Sequence, residues 1–221
     1  MKYKTDINVI LDRSGSMFGL RTTVVEKLND FINSNKEIKE SARFNLYQFD
    51  TILETVIEDC DIQEVKQFTL EDFCPVGGTR LVDAGCTYID QIGAKLSKIN
   101  QQDRPKQVIV VFITDGEENS SKIYTMEQFT ERITTQRNVY KWQFVFIGTN
   151  EDGMISGQRY SKSIGINNML DENVRKRYGA APAQMMASSF DYLSQGSRNL
   201  RTMNVQNVDN FTELATKQSE K

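Results

Sequence analysis

Five oxygen-bearing side chains occur in the sequence at positions where they can share one site. They are two aspartates, two serines and a threonine: Asp12, Ser14, Ser16, Thr79 and Asp115. Asp12 follows the apolar run of residues 7–11, and Asp115 follows the apolar run of residues 107–114. If these runs are neighbouring parallel strands, the two carboxylates face each other at one edge of a sheet. Two such anions repel each other unless a cation lies between them.

The chemistry of the donors indicates which cation this site would hold. Carboxylate and hydroxyl oxygens are hard ligands, which select Mg²⁺, Mn²⁺ or Ca²⁺ over zinc and copper. Few carboxylates and several small hydroxyls favour Mg²⁺, because this ion keeps some of its waters and accepts a partial protein shell. We therefore expect Mg²⁺, with Mn²⁺ and Ca²⁺ as alternatives. Gly77 and Gly78 precede Thr79 and allow the tight loop that brings it inward.

The apolar residues alternate between strand and helix patterns, as in a sheet covered on both faces. The predicted strands span residues 7–11, 44–49, 51–57, 107–114, 142–147 and 166–170. The predicted helices span residues 21–39, 81–99, 155–164 and 186–200, and one more begins at a capping box formed by Thr125 and Gln128. Only Asp50 separates the second and third strands, which is too short for a parallel crossover, so they form an antiparallel hairpin.

These elements predict a doubly wound α/β fold. Its central sheet is mostly parallel with one antiparallel edge strand, and helices cover both faces. We interpret residues 1–211 as one domain and the polar residues 212–221 as a flexible tail.

Composition excludes several partners. The 221 residues include 27 basic and 30 acidic side chains, a net charge of −3, and no basic cluster that would bind nucleic acid. No stretch reaches the ~18 apolar residues of a membrane span, and the first residues do not resemble a signal peptide. We therefore expect neither nucleic acid nor a membrane as a partner. Three cysteines without a CxxC spacing, Cys60, Cys74 and Cys86, are expected to be reduced thiols of a cytoplasmic protein.

The sequence contains no histidine. Catalytic centres that depend on histidine, and zinc sites that contain it, are therefore excluded. A haloacid-type phosphatase would need an aspartate where Ser14 lies, and no GxxxxGK[ST] nucleotide loop is present. We expect no catalytic activity. The alternatives are a metal-dependent phosphohydrolase and a structural or assembly component of a phage or defence complex.

The five residues and their order resemble the metal-ion-dependent adhesion site (MIDAS) of von Willebrand factor A (VWA) domains. DRSGS at residues 12–16 is similar to the DxSxS motif of that family, and Thr79 and Asp115 correspond to its distal threonine and aspartate. The segments LDRSGSM, GGTRLVDA and ITDGEENSS resemble the stand-alone VWA proteins of bacteria and their phages. The resemblance extends over about residues 5–205, and it favours a shared metal site over separate turns and helix caps.

The resemblance implies the VWA fold, which is Rossmann-like, and a function. Ser14, Ser16 and Thr79 are expected to contact the metal, and Asp12 and Asp115 to act directly or through water. A Glu or Asp carboxylate of a protein partner is expected to fill an open position, aided by the positive end of the helix after the serines. The chain would then be a metal-dependent adaptor in the cytoplasm, or in the host cytoplasm if it is phage-encoded. In the family the last helix moves when the partner binds.

Residues beside the predicted ligands are candidates for the rim that a partner touches. They are Arg13, Phe18, Arg80 and Glu117. Glu117 and Glu118 lie next to Asp115, where a carboxylate can tune a metal, although a solvated loop is the simpler interpretation for both.

Overall fold

The computed structural model describes residues 2–115, 118–148 and 182–202. Within these ranges, five strands form one sheet: β1 (Thr5–Asp12), β2 (Ala42–Phe49), β3 (Leu53–Asp61), β4 (Gln107–Ile113) and β5 (Gln143–Ile147). The α-helices are α1 (Arg21–Lys36), α2 (Leu81–Ser97), α3 (Met126–Tyr140) and α4 (Pro182–Thr202). The predicted helix at 155–164, strand at 166–170 and tail at 212–221 lie outside the described residues.

The strands follow the order β3-β2-β1-β4-β5. β1 pairs in parallel with β2 and β4, β4 pairs in parallel with β5, and β3 runs antiparallel to β2. The predicted mostly parallel sheet with one antiparallel edge strand is therefore confirmed. Strand order reverses between β1 and β4, so Asp12, at the end of β1, and Asp115, just after β4, lie at the same edge of the sheet. This edge is termed the carboxyl edge below.

Two hydrophobic cores hold the sheet between its helices. Side chains alternate along a strand, so Ile7, Val9 and Leu11 of β1 pack with α1 and α4, whereas Ile10 packs with α2 and α3. The apolar stripe predicted for the last helix is buried in the first of these cores: Met186, Phe190, Leu193 and Leu200. Each fully buried side chain of this kind contributes about 1.5–3 kcal/mol.

A buried arginine anchors α4 to the end of α1. Arg201 Nη1 donates to the backbone oxygen and to Oδ1 of Asn35, both at 2.8 Å, and Nη2 donates to Glu40 O at 2.5 Å. Burial lowers the pKa of Arg201 to about 10, which leaves it charged at neutral pH. Its charge faces the carbonyl end of α1, where the helix dipole favours a cation.

A buried polar cluster lies on the α2 face of β1 and β2, towards the amino ends of the strands. Arg43 donates to both carboxylate oxygens of Asp6, from Nε at 3.1 Å and from Nη2 at 2.5 Å. Asn45 Nδ2 donates to Asp6 Oδ1 at 2.9 Å and to Asn8 Oδ1 at 3.0 Å. Because both charges have partners, the cluster is tolerated inside the fold.

Several element boundaries follow local signals. The predicted capping box is confirmed, since Gln128 N donates to Thr125 Oγ1 at 3.4 Å and Thr125 N donates to Gln128 Oε1 at 2.9 Å. α1 ends at Lys36, earlier than predicted, and β3 begins at Leu53 because residues 50–52 form the hairpin turn. In the described part of the chain, every helix is too short or too polar to cross a lipid bilayer.

Candidate metal centre

Asp12 is the last residue of β1 and is fully buried at the carboxyl edge. Its Oδ1 accepts a hydrogen bond from Ser14 N at 2.7 Å, and its Oδ2 accepts one from Thr114 Oγ1 at 2.6 Å. Thr114 directly follows β4, so its hydroxyl connects the ends of the two central strands. Both carboxylate oxygens of Asp12 are therefore oriented by the protein itself.

Short hydrogen bonds connect four of the five predicted ligands. Ser14 Oγ and Ser16 Oγ lie 3.0 Å apart, and Ser16 Oγ donates to Asp115 Oδ1 at 2.7 Å. Since Asp12 Oδ1 bonds the backbone of Ser14, the structure brings Asp12, Ser14, Ser16 and Asp115 into one cluster. That this cluster holds an ion stays a prediction.

Thr79 is connected to this cluster by the backbone of its loop. Gly15 N donates to Gly77 O at 3.1 Å, and Val76 N donates to Arg13 O at 2.8 Å. Gly77 has a φ of 77°, a left-handed conformation that favours glycine. The loop thus lies against the segment that carries the two serines, and Thr79 is buried at its end.

The loop after β4 forms hydrogen bonds with both the backbone N–H and the backbone carbonyl of Thr79. Thr79 N donates to Asn119 Oδ1 at 3.1 Å, and Asn119 N donates to Thr79 O at 3.2 Å. These two bonds are termed the Asn119 clasp. Gly78 permits this approach, because a Cβ there would lie 2.4 Å from Ser120 Oγ. The clasp joins the loop of Thr79 to the loop that leaves Asp115.

Two further carboxylates bind backbone N–H groups near the site. Glu118 accepts from Val82 N, in the first turn of α2, at 2.9 Å and from the backbone N of residues 120 and 121 at 2.9 and 2.7 Å. Asp83 accepts from the backbone N of residues 122–124 at 2.9, 3.0 and 3.0 Å. Burial opposes ionisation of Asp83, but these three donors lower its pKa below the ordinary value. Glu118 lies in a loop and is half-buried, but its carboxylate is not free in solvent, because it binds the backbone at the start of α2 and of its own loop.

The two central aspartates place negative charge in a buried position. Burial raises the pKa of Asp12 to about 6, against the lowering effect of its bonds from Thr114 and Ser14, and the charge of Asp115 raises it further. Burial also raises the pKa of Asp115, against the bond from Ser16. Across the described residues, no Lys or Arg forms an ion pair with either aspartate. A cation between them would supply the missing positive charge.

The donor set at the carboxyl edge fits a hard divalent cation. No group of three or more His, Cys, Asp or Glu side chains in the described ranges is placed to hold a metal. Coordination would therefore rely on two carboxylates, on hydroxyls and on water, a combination that suits Mg²⁺. The residues that would hold the ion are those predicted: Asp12, Ser14, Ser16, Thr79 and Asp115.

The predicted rim residues occupy different environments. Arg13 forms ion pairs with Asp50 at 3.1 Å and Glu54 at 2.7 Å, so it ties β1 to the β2–β3 hairpin instead of standing free. Phe18 is 68% exposed. Arg80 is half-buried directly before α2, and its Nε is buried without a hydrogen-bond partner. Glu117 lies outside the described residues.

The expected contribution of the α1 dipole needs a correction. A 3-10 helix of six residues, Gly15–Leu20, follows Ser14, and α1 begins only at Arg21. Since the dipole effect falls off within the first helical turn, α1 contributes less at the site than the sequence suggested.

Comparisons with known proteins test the fold. No protein-family model and no curated protein sequence matches this chain. Solved structures do. The chain is similar to a von Willebrand factor type A structure from Catenulispora acidiphila, with 14% identity, a TM-score of 0.56, and coverage of 89% of this chain and 43% of that chain.

Two further similar structures come from eukaryotes. Proximal thread matrix protein 1 from the mussel byssus, with a zinc-occupied MIDAS motif, has 15% identity and a TM-score of 0.51 over 73% of this chain and 41% of that chain. Manganese-loaded Plasmodium vivax TRAP protein has 18% identity and a TM-score of 0.51 over 77% of this chain and 66% of that chain. The chain thus spans less than half the length of the Catenulispora and mussel proteins. It has the VWA fold.

The raised pKa of Asp12 predicts a pH dependence of stability in the metal-free protein. The folded state binds a proton more tightly than the unfolded state between the ordinary pKa of 3.8 and about 6. The contribution of Asp12 to the free energy of unfolding therefore falls as pH rises through that window, and it stays low at higher pH. Unfolding by urea in EDTA should show Asp12→Asn gaining up to about 3 kcal/mol over wild type at neutral pH, and less at acidic pH. A difference that does not change with pH would contradict the assignment.

The Asn119 clasp predicts a loss of metal affinity without loss of the fold. Asn119→Ala removes the acceptor for Thr79 N, a hydrogen bond of about 1 kcal/mol, so Mg²⁺ binding measured by calorimetry should weaken about fivefold. Asn33→Ala, at an exposed position on α1, is the matched control and should bind Mg²⁺ like wild type. Equal affinities for the two variants would show that the clasp does not position Thr79.

Proposed function

We propose that this chain is a metal-dependent binding module, which holds one divalent cation, Mg²⁺ in the cell, and captures a carboxylate of a protein partner through it. One observation carries the proposal. Asp12 and Asp115 are buried at the ends of adjacent strands, joined through Ser14 and Ser16, and the described residues offer them no cationic side chain. A divalent ion would offset the unfavourable burial of two such anions.

Proteins of the same fold support a divalent cation at this edge. One similar structure is described as having a zinc-occupied MIDAS motif, and another as manganese-loaded. Zinc and manganese differ in their preferred ligands, so these structures favour a divalent ion in general. Our choice of Mg²⁺ rests on the chain's own donors, which are carboxylate and hydroxyl oxygens without sulfur or imidazole.

The contacts of Asp12 favour an ion that keeps a vacant position for a partner. Both oxygens of this carboxylate already accept hydrogen bonds, from Ser14 N and Thr114 Oγ1. These bonds occupy one lone pair on each oxygen and hold the carboxylate against the protein, and we infer that Asp12 acts on the ion through water. Its negative charge then neutralises the ion less completely. When bound, the ion would act as a Lewis acid towards one further carboxylate oxygen, which the partner would provide.

The same contacts argue against a hydrolase. Asp12 is the residue that a haloacid-type phosphatase would use as nucleophile, yet it is fully buried and both its oxygens are engaged. Ser14 occupies the position where that mechanism needs a second aspartate as acid and base. The chain has no histidine to replace it. We therefore propose binding without catalysis.

The cysteines support a reducing compartment. Cys60, Cys74 and Cys86 are all free thiols, and Cys74 is exposed. Exposed thiols persist where glutathione and thioredoxin keep them reduced, so we propose that the module works in the cytoplasm.

Metal binding is tested by thermal unfolding with and without Mg²⁺. A ligand of the folded state at a hundredfold excess over its Kd adds about 2.7 kcal/mol, which should raise the Tm by about 5–10 °C. Asp12→Ala should show no shift, whereas Asp30→Ala, at an exposed aspartate of α1, should respond like wild type. If Asp12→Ala and wild type gain the same increase, the ion binds elsewhere.

Partner capture tests the second part of the same proposal. Wild-type protein and Asp115→Ala are immobilised side by side in Mg²⁺, exposed to lysate and eluted with EDTA. A partner should elute only from the wild type, and changing its acidic residues to amides one at a time should identify one that dominates binding. Undiminished binding of every amide variant, or binding that survives EDTA, would refute carboxylate capture.

A further inference from the structure

Large apolar side chains are exposed around the candidate metal centre. In the described part of the chain, seven large hydrophobic residues are exposed, and four of these lie on the turns, loops and 3-10 helix next to the predicted ligands. They are Phe18, Ile52, Val76 and Ile123, with 68%, 65%, 60% and 70% of their surface exposed. These four side chains are termed the apolar rim. Scattered apolar residues are ordinary on a protein surface, but a group around one site marks an interaction surface.

Two members of the apolar rim flank the segment that carries the serines. Phe18 lies on the 3-10 helix Gly15–Leu20, two residues after Ser16. Val76 N donates to Arg13 O at 2.8 Å, so Val76 lies beside the residue that follows Asp12. Both are therefore neighbours of the predicted ligands.

The other two members approach from the loops on either side. Ile52 belongs to the β2–β3 turn, whose Thr51 Oγ1 lies 3.3 Å from the position that a Cβ on Gly77 would take. Ile123 N donates to Asp83 Oδ1 at 3.0 Å, in the first turn of α2. The apolar rim thus draws on the turn after β2, the loop before α2 and the loop after β4, as well as on the 3-10 helix.

Three carboxylates in or beside these loops are occupied within the protein. Asp50 pairs with Arg13, and Glu118 and Asp83 accept backbone N–H groups. A partner with a basic surface would find these three carboxylates already engaged. The bound cation would bind one carboxylate of the partner. The loops around it offer apolar side chains for contact.

We propose that the partner presents its carboxylate within an apolar segment, as an aspartate or glutamate flanked by side chains such as Leu, Ile or Phe that pack against the apolar rim. This inference rests on the proposed function and names the chemistry of its partner. Packing of apolar side chains around a metal–carboxylate bond excludes water from it, which strengthens the bond. The apolar rim would thereby select among the many acidic residues on protein surfaces.

The test uses a random peptide library displayed on phage as the probe. The immobilised protein is panned in Mg²⁺, and bound phage are eluted with EDTA. The enriched peptides should carry an acidic residue with apolar residues at adjacent positions. Enrichment of acidic residues among basic or polar neighbours would overturn this inference while leaving the proposed function intact. A library without any EDTA-eluted binder would instead contradict the proposed function.

Variants of the apolar rim provide the second arm. Phe18→Ser and Ile123→Ser should each weaken binding of an enriched synthetic peptide about tenfold, because they remove buried apolar contact. Phe18→Leu should retain most of the affinity. The matched control is Tyr140→Ser, which changes a residue that is 58% exposed at the far end of α3. The Mg²⁺-induced rise in Tm should persist in all four variants. Unaltered peptide affinity in both serine variants of the rim would contradict the inference.

Discussion

Burial of two carboxylates, those of Asp12 and Asp115, is the constraint around which the carboxyl edge is organised. Parallel pairing of β1 with β4 brings Asp12 and Asp115 to neighbouring strand ends. The protein partly offsets the resulting cost with hydrogen-bond donors: Thr114 and the Ser14 backbone serve Asp12, and Ser16 serves Asp115. These neutral donors leave the pKa of both carboxyls raised, so a cation at this edge would be bound by charge as well as by geometry.

The loops of the site are held by side chains that are not among the predicted ligands. The Asn119 clasp joins two ligand loops, and Glu118 and Asp83 bind the backbone between β4 and α3. Arg13 ties the serine segment to the β2–β3 hairpin. Since these bonds form during folding, the donors are ordered before an ion or a partner arrives, and less conformational entropy is lost on binding.

The sequence predicted the described strands and helices because they depend on local patterns, and it predicted that Asp12, Ser14, Ser16 and Asp115 lie together because their motif and strand-end positions resemble those of a known fold. The periodicity of β1 and β4, the capping box at Thr125 and the short connection between β2 and β3 each leave a short-range signal. The supporting contacts leave none. Asn119 and Thr79 are 40 residues apart, and Glu118 and Val82 are 36 apart. Only the folded sheet shows that Glu118 caps a helix and that Arg13 is engaged in ion pairs.

Anomalous scattering from a crystal soaked in Mn²⁺ tests the central claim most directly, because it locates the ion among its ligands. We predict one strong peak at the carboxyl edge, between the hydroxyls of Ser14, Ser16 and Thr79 and the carboxylates of Asp12 and Asp115, and no peak there in crystals of Asp12→Ala. A wild-type crystal without a peak at this position, under conditions in which calorimetry shows Mn²⁺ bound, would contradict the account.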